Sequence, residues 1–99
     1  MMRTERAQAI AEQALGALAS APEDLGRFLA ESGLSPEALR AALDAPADDP
    51  ARGELLSAVL TFMAADEARA EAFCAAEGLT PESFAAARAA LGGETMHWT

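Results

Sequence analysis

The chain is 99 residues long and carries 16 acidic residues against seven arginines, a formal net charge of −9. That balance argues against bulk attraction to phosphate backbones, and the length allows one domain burying roughly 60–65% of its unfolded surface. Alanine (27 residues) and leucine (12) dominate, while Tyr, Lys and Asn are absent, so the expected fold class is all-α.

Thr4 is the expected cap of a first helix reaching about Ala19, with Ala7, Ile10, Ala14 and Leu18 along its inner line. Gly16 inside it weakens the helix by about 1 kcal/mol relative to alanine, which suggests close approach by another helix. Ser20-Ala21-Pro22-Glu23 fits a capping box, although the proline also pushes Ala21 out of helical geometry and could make it the cap. Either way a second helix starts near residue 22, with Leu25, Phe28 and Leu29 inward, and ends at Gly33.

Gly33-Leu34-Ser35-Pro36 then specifies a corner between helices. Glycine at the first position past the helix takes the left-handed conformation, and the following leucine closes back onto the last turn. Serine caps the next helix and proline occupies its first position, where a missing N–H costs nothing. Gly78-Leu79-Thr80-Pro81 repeats the pattern. A third helix is expected over Pro36 to about Asp44, with Leu39, Ala42 and Leu43 inward. The linker 45–49 follows, and Asp49 caps a fourth helix at Pro50 carrying the strongest apolar stripe, Leu55, Leu56, Val59, Leu60, Phe62 and Met63. Asp66 starts a fifth helix with Phe73 and Cys74 on one face, and the sixth runs from Pro81 to Leu91. The expected organisation is a compact bundle of six short helices within a single domain over 1–93, its three-helix halves covering about 4–44 and 50–91. Residues 94–99 form a tail.

A shift of 45 positions aligns Phe28–Leu43 with Phe73–Arg88 at 8 identities in 16. The period lies in the range of helical repeats, but two units are too few for a solenoid. Duplication and reuse of one good corner are both open readings of this pseudo-repeat.

Chemistry is hard to find in this sequence. His97 is the only histidine, without the spacing of a metal site or a triad. Cys74 is the only cysteine, which excludes an intrachain disulfide; it takes the place of Leu29 in the repeat and reads as a small buried hydrophobe. Asp44, Asp48 and Asp49 lack the spacing of a calcium loop, being interrupted by prolines. The helix after the first corner offers one arginine and no Asn, Gln or Lys, a poor base-reading face. No catalytic, cofactor or metal residue is assigned, and neither nucleic acid nor membrane is an expected partner. Glu5, Gln8, Glu12 and Gln13 interrupt any signal-peptide core, and no apolar run is long enough to span a bilayer, so the expected location is cytoplasmic.

Surface for protein partners remains. Phe62 lies off the Leu55–Val59–Met63 line and could be core or an exposed anchor. Trp98 could fold back on the domain or serve as an anchor for another chain, a role tryptophan often fills.

Asp24-Leu25-Gly26-Arg27-Phe28-Leu29, Gly33-Leu34-Ser35-Pro36, the Leu55–Met63 helix with Ala64-Ala65-Asp66-Glu67, and Phe73-Cys74 through Gly78-Leu79-Thr80-Pro81-Glu82 occur in an order that resembles the bacterial domain-of-unknown-function family 3572. The likeness spans about residues 8 to 91. It implies a small helical cytoplasmic protein, no known activity and no catalytic residues. The leading functional expectation is a non-catalytic protein-interaction or adaptor module, of undetermined oligomeric state. The alternatives are a ligand-binding or catalytic site between the halves, using Arg27, Arg69, Arg88 or Cys74, and an acidic mimic that occupies a basic protein.

Overall fold

Alanine and leucine at helical spacing, punctuated by proline and glycine, leave the backbone few alternatives to short helices. The computed structural model describes residues 2–46 and 48–92. Six helices follow one another: α1 (Thr4–Ala19), α2 (Pro22–Ser32), α3 (Pro36–Asp44), α4 (Pro50–Ala64), α5 (Glu67–Glu77) and α6 (Pro81–Gly92). Among the described residues there is no strand.

Local chemistry sets four of the six starts. The Ser35 hydroxyl accepts the Ala38 N–H at 3.0 Å, and the Asp49 carboxylate accepts the Ala51 N–H at 2.8 Å. Asp66 accepts the Arg69 N–H at 3.1 Å, and the Thr80 hydroxyl accepts the Ser83 N–H at 3.0 Å. Each bond satisfies a first-turn donor that has no partner inside its own helix.

The first two helices start differently. Thr4 is the first residue of α1 rather than its cap; Arg3 takes the capping position without a side-chain hydrogen bond. Met2 packs against the core, and helical bonding already begins with the Ala7 N–H on the Arg3 carbonyl at 3.0 Å. Ser20 belongs to the end of α1, where its N–H and its hydroxyl both donate to the Gly16 carbonyl at 3.1 Å. Ala21, held out of helical geometry ahead of Pro22 at φ −126° and ψ 86°, therefore heads α2.

Both corners turn on left-handed glycines, Gly33 at φ 77° and Gly78 at φ 68°. They close differently. At the second, the Leu79 N–H reaches back to the Cys74 carbonyl at 2.9 Å, the long bond of a Schellman closure. At the first, the Leu34 N–H donates to the Ser32 hydroxyl at 3.3 Å, while the Gly33 N–H bonds the Leu29 carbonyl at 3.0 Å. A hydroxyl at position 32, where the second copy has Glu77, takes the donor locally.

α1 and α4 form the centre, each packed against the other and against α6. α2 and α5 flank them, and α3 packs on α4. The α4 stripe Leu55, Leu56, Val59, Leu60 and Met63 is buried with Ile10 and Leu18 of α1. Arg52 fastens this arrangement: its Nη1 donates to the Leu43 carbonyl at the end of α3 at 2.8 Å, and its Nη2 pairs with Glu12 of α1 at 2.7 Å. The close approach expected at Gly16 does not occur. A Cβ placed there would meet nothing within 4 Å, because the buried line of α1 (Ala7, Ile10, Ala11, Ala14, Leu18) leaves residue 16 on the outer side.

The helices α1 and α6 lie in different halves of the sequence yet pack closely together, so the halves share one core. Bounds shifted by 45 positions coincide for α2 and α5, for the ends of α1 and α4, and for the starts of α3 and α6. The third helices are nevertheless placed differently. Phe84 and Ala87 of α6 are buried, whereas α3 lies at the edge and Leu43 is 41% exposed.

Candidate functional site

Asp66 ends the α4–α5 connection as the cap of α5, which places Arg69 one turn inside the helix with its side chain running back over the end of α4. There the Arg69 Nη1 donates to the Phe62 carbonyl at 3.2 Å, and its guanidinium carbon lies 4.2 Å from the centre of the Phe62 ring. The Nη2 is 3.7 Å from Asp24 of α2 and 3.8 Å from Asp66. One side chain thus joins α2, α4 and α5 and satisfies a carbonyl at the end of α4. Cation–π contact and the part-buried carbonyl bond matter more here than the two ion pairs, which are long and have half-exposed carboxylates.

A cleft of about 500 Å³ opens beside this node, between the ends of α1 and α4 on one side and α2 and α5 on the other. Leu18, Met63 and Phe73 line it, with Ala17 at one side and Ala68, Ala72 and Ala76 along one face of α5. Asp24, Arg27, Asp66, Arg69 and Glu77 supply its charge. Arg69 is engaged as described. The Arg27 side chain is exposed at the mouth of the cleft and makes no ion pair or hydrogen bond among the described residues.

The cleft therefore brings together two of the four residues expected at a site between the halves, Arg27 and Arg69. Cys74 and Arg88 are not part of its lining. Cys74 is a buried free thiol, and desolvation pushes its pKa up, which lowers the thiolate fraction a nucleophile needs. Of the two candidate anchors, Phe62 is only 6% exposed and packs edge-to-face on Phe28, with ring centres 5.5 Å apart. It is a core residue and has almost no surface to offer a partner, because the turn of α4 at 62 faces α2 and Arg69 covers the ring. Trp98 and His97 lie outside the described residues. Asp49 acts as a cap, and among the described residues no three His, Cys, Asp or Glu side chains gather as a metal site would require. Among the same residues no helix is long and apolar enough to cross a membrane.

The bridging role of Asp24 was not legible from the sequence, where it reads only as a first-turn acid. The available signal was its opposite charge to Arg69, which occupies the equivalent place 45 positions later.

A family model described as a protein of unknown function (DUF3572) matches residues 4–94. The chain belongs to the DUF3572 family. No curated protein and no solved structure matches it. In this DUF3572 protein the segments that carried the resemblance have identifiable structural work. Asp24 and Arg27 face the cleft, Phe28 fills the α2–α4 contact, Asp66 caps α5, and the two Gly-Leu-Ser/Thr-Pro segments form the corners. Family membership assigns no reaction, ligand or partner.

Proposed function

We propose that this DUF3572 protein is a protein-interaction module without catalysis of its own, and that the cleft between α2 and α5 is its recognition surface. The cleft is the observation that carries the reading. Its apolar surface comes from the exposed methyl groups of Ala68, Ala72 and Ala76 along α5, above the buried Leu18, Met63 and Phe73, and such small side chains let a partner's backbone come close. Mixed charge at the rim would set register more than strength. The single thiol is buried and poorly ionised, and a cytoplasmic setting, expected from the sequence, would keep it reduced.

A small-ligand site in the same cleft is the second reading, favoured by the Arg27 guanidinium, which has no ion-pair partner among the described residues, beside the alanine face of α5. The acidic-mimic reading has less behind it, because the carboxylates are spread over all six helices and gathered on none.

The experiment is quantitative capture from native lysate at low and high salt, comparing wild type with Ala72→Arg, which blocks the cleft, and with a chain ending at Gly92. A stoichiometric partner lost in Ala72→Arg is the expected result. Loss only on truncation would move recognition to Trp98 and the tail. A partner equally retained by both variants, or none, would overturn the reading, and binding of a small molecule alone would favour the second.

A further inference from the structure

A groove of about 670 Å³ runs between the start of α4, the first turns of α1 and the end of α6, and it shares no lining residue with the α2–α5 cleft. Along α4 it passes from Pro50 over Gly53 and Ser57 to Ala58, a rise of about 12 Å. A Cβ on Gly53 would meet nothing within 4 Å, so the space is open down to the α4 backbone there. Ala58, Ala90 and Leu91 supply apolar surface, and Gln8 and Glu54 bring acceptor oxygens to its edge. Gly92, the last residue of α6, is itself part of the lining, so the chain leaves α6 from within the groove.

We infer that this groove seats the chain's own segment 93–99, with the Trp98 indole laid against α4. Reach supports that occupant. Trp98 stands six residues beyond Gly92, and an extended chain of that length covers about 20 Å, more than the groove requires. Chemistry supports it as well: an indole is a large apolar ring with a single N–H donor, suited to a floor of small side chains edged by acceptors. Tethering favours it further, because a segment leaving from the groove's own wall is present at an effective concentration that a separate chain rarely meets. Among the described residues Leu43 is the only large apolar side chain left exposed, so a covered tryptophan is in keeping with the rest of the molecule.

The test reads Trp98 in the full-length chain, where it is the only tryptophan and tyrosine is absent. Emission to the blue of the urea-unfolded chain, protected from acrylamide at every protein concentration, is expected. In a labelled sample the indole protons should show nuclear Overhauser contacts to the methyl groups of Ala58, Ala90 and Leu91. Gly53→Arg lays a long side chain across the groove; with helical content retained, it should return emission and quenching to those of the unfolded chain. Should that variant not fold, the Overhauser contacts of the wild-type chain decide alone. Emission in the folded wild type that matches the unfolded chain overturns the inference, as do indole contacts to methyl groups elsewhere in the molecule. Protection lost on dilution assigns the indole to a second copy. A Trp98 covered only when a captured partner is added assigns it to that partner, and either result overturns the seating within one chain. The interaction reading of the α2–α5 cleft stands or falls separately, since Ala72→Arg leaves this groove untouched.

Discussion

Gly33 and Gly78 isolate a backbone effect from a packing effect. At both positions a Cβ would meet nothing within 4 Å, yet φ is 77° and 68°, a region that costs an ordinary residue about 1–2 kcal/mol. Replacing either by alanine is expected to lower unfolding free energy by about 1 kcal/mol, and by valine about 2–3 kcal/mol because of its branched Cβ. Urea denaturation checks this; valine variants as stable as wild type would contradict the corner geometry. Ser35 and Thr80, with prolines behind them, were readable for the same local reason, since a cap, a proline and a left-handed glycine need only their immediate neighbours. Asp24 and Arg69 were not readable at this scale, because their meeting depends on how α2 and α5 lie against each other.

On the scale of the element, α1 shows where local rules run out. The sequence places a helix there correctly and fixes its end at Ala19, but its start moves to Thr4 because Met2 is held by the core. Gly16 is a helix-interior glycine with open space around it, so it carries the conformational cost of glycine with no packing return. Gly16→Ala should therefore stabilise the protein by about 0.5–1 kcal/mol, seen as a higher urea midpoint at unchanged slope. A destabilised variant would mean that the outer side of α1 is covered. The stripe of α4 was legible from its density of large apolar residues, which leaves only the side of Glu54 and Thr61 to water.

For the whole molecule, Phe62 is the residue whose role only assembly could decide. It packs on Phe28, lies beneath Arg69 and has its carbonyl held by the same arginine. Phe62→Ala is expected to cost about 3–5 kcal/mol, since it removes a buried ring and opens a cavity. Leu43→Ala, at the 41% exposed edge of α3, should change stability by no more than about 0.5 kcal/mol. Thermal and urea unfolding of the two variants side by side would check the contrast; similar losses would place α3 in the core after all. The asymmetry between α3 and α6 belongs here too. Leu39 and Phe84 hold the same register after their corners, yet Phe84 is buried beside Phe73 while Leu39 is only partly covered.

The sequence alone determined the helical class, six helices, the caps Ser35, Asp49 and Thr80, both left-handed glycine corners, and the absence of recognisable catalytic spacing, because propensity, capping and left-handed glycines act within a few residues. Family membership was legible for the same reason, through short segments in a fixed order. The tertiary structure alone decided that α1 and α6 join across the two halves, that Phe62 is core, and that Arg69 is engaged by Phe62 and Asp24. Those outcomes depend on the packing of helices distant in sequence, which propensity and capping within a few residues do not reach.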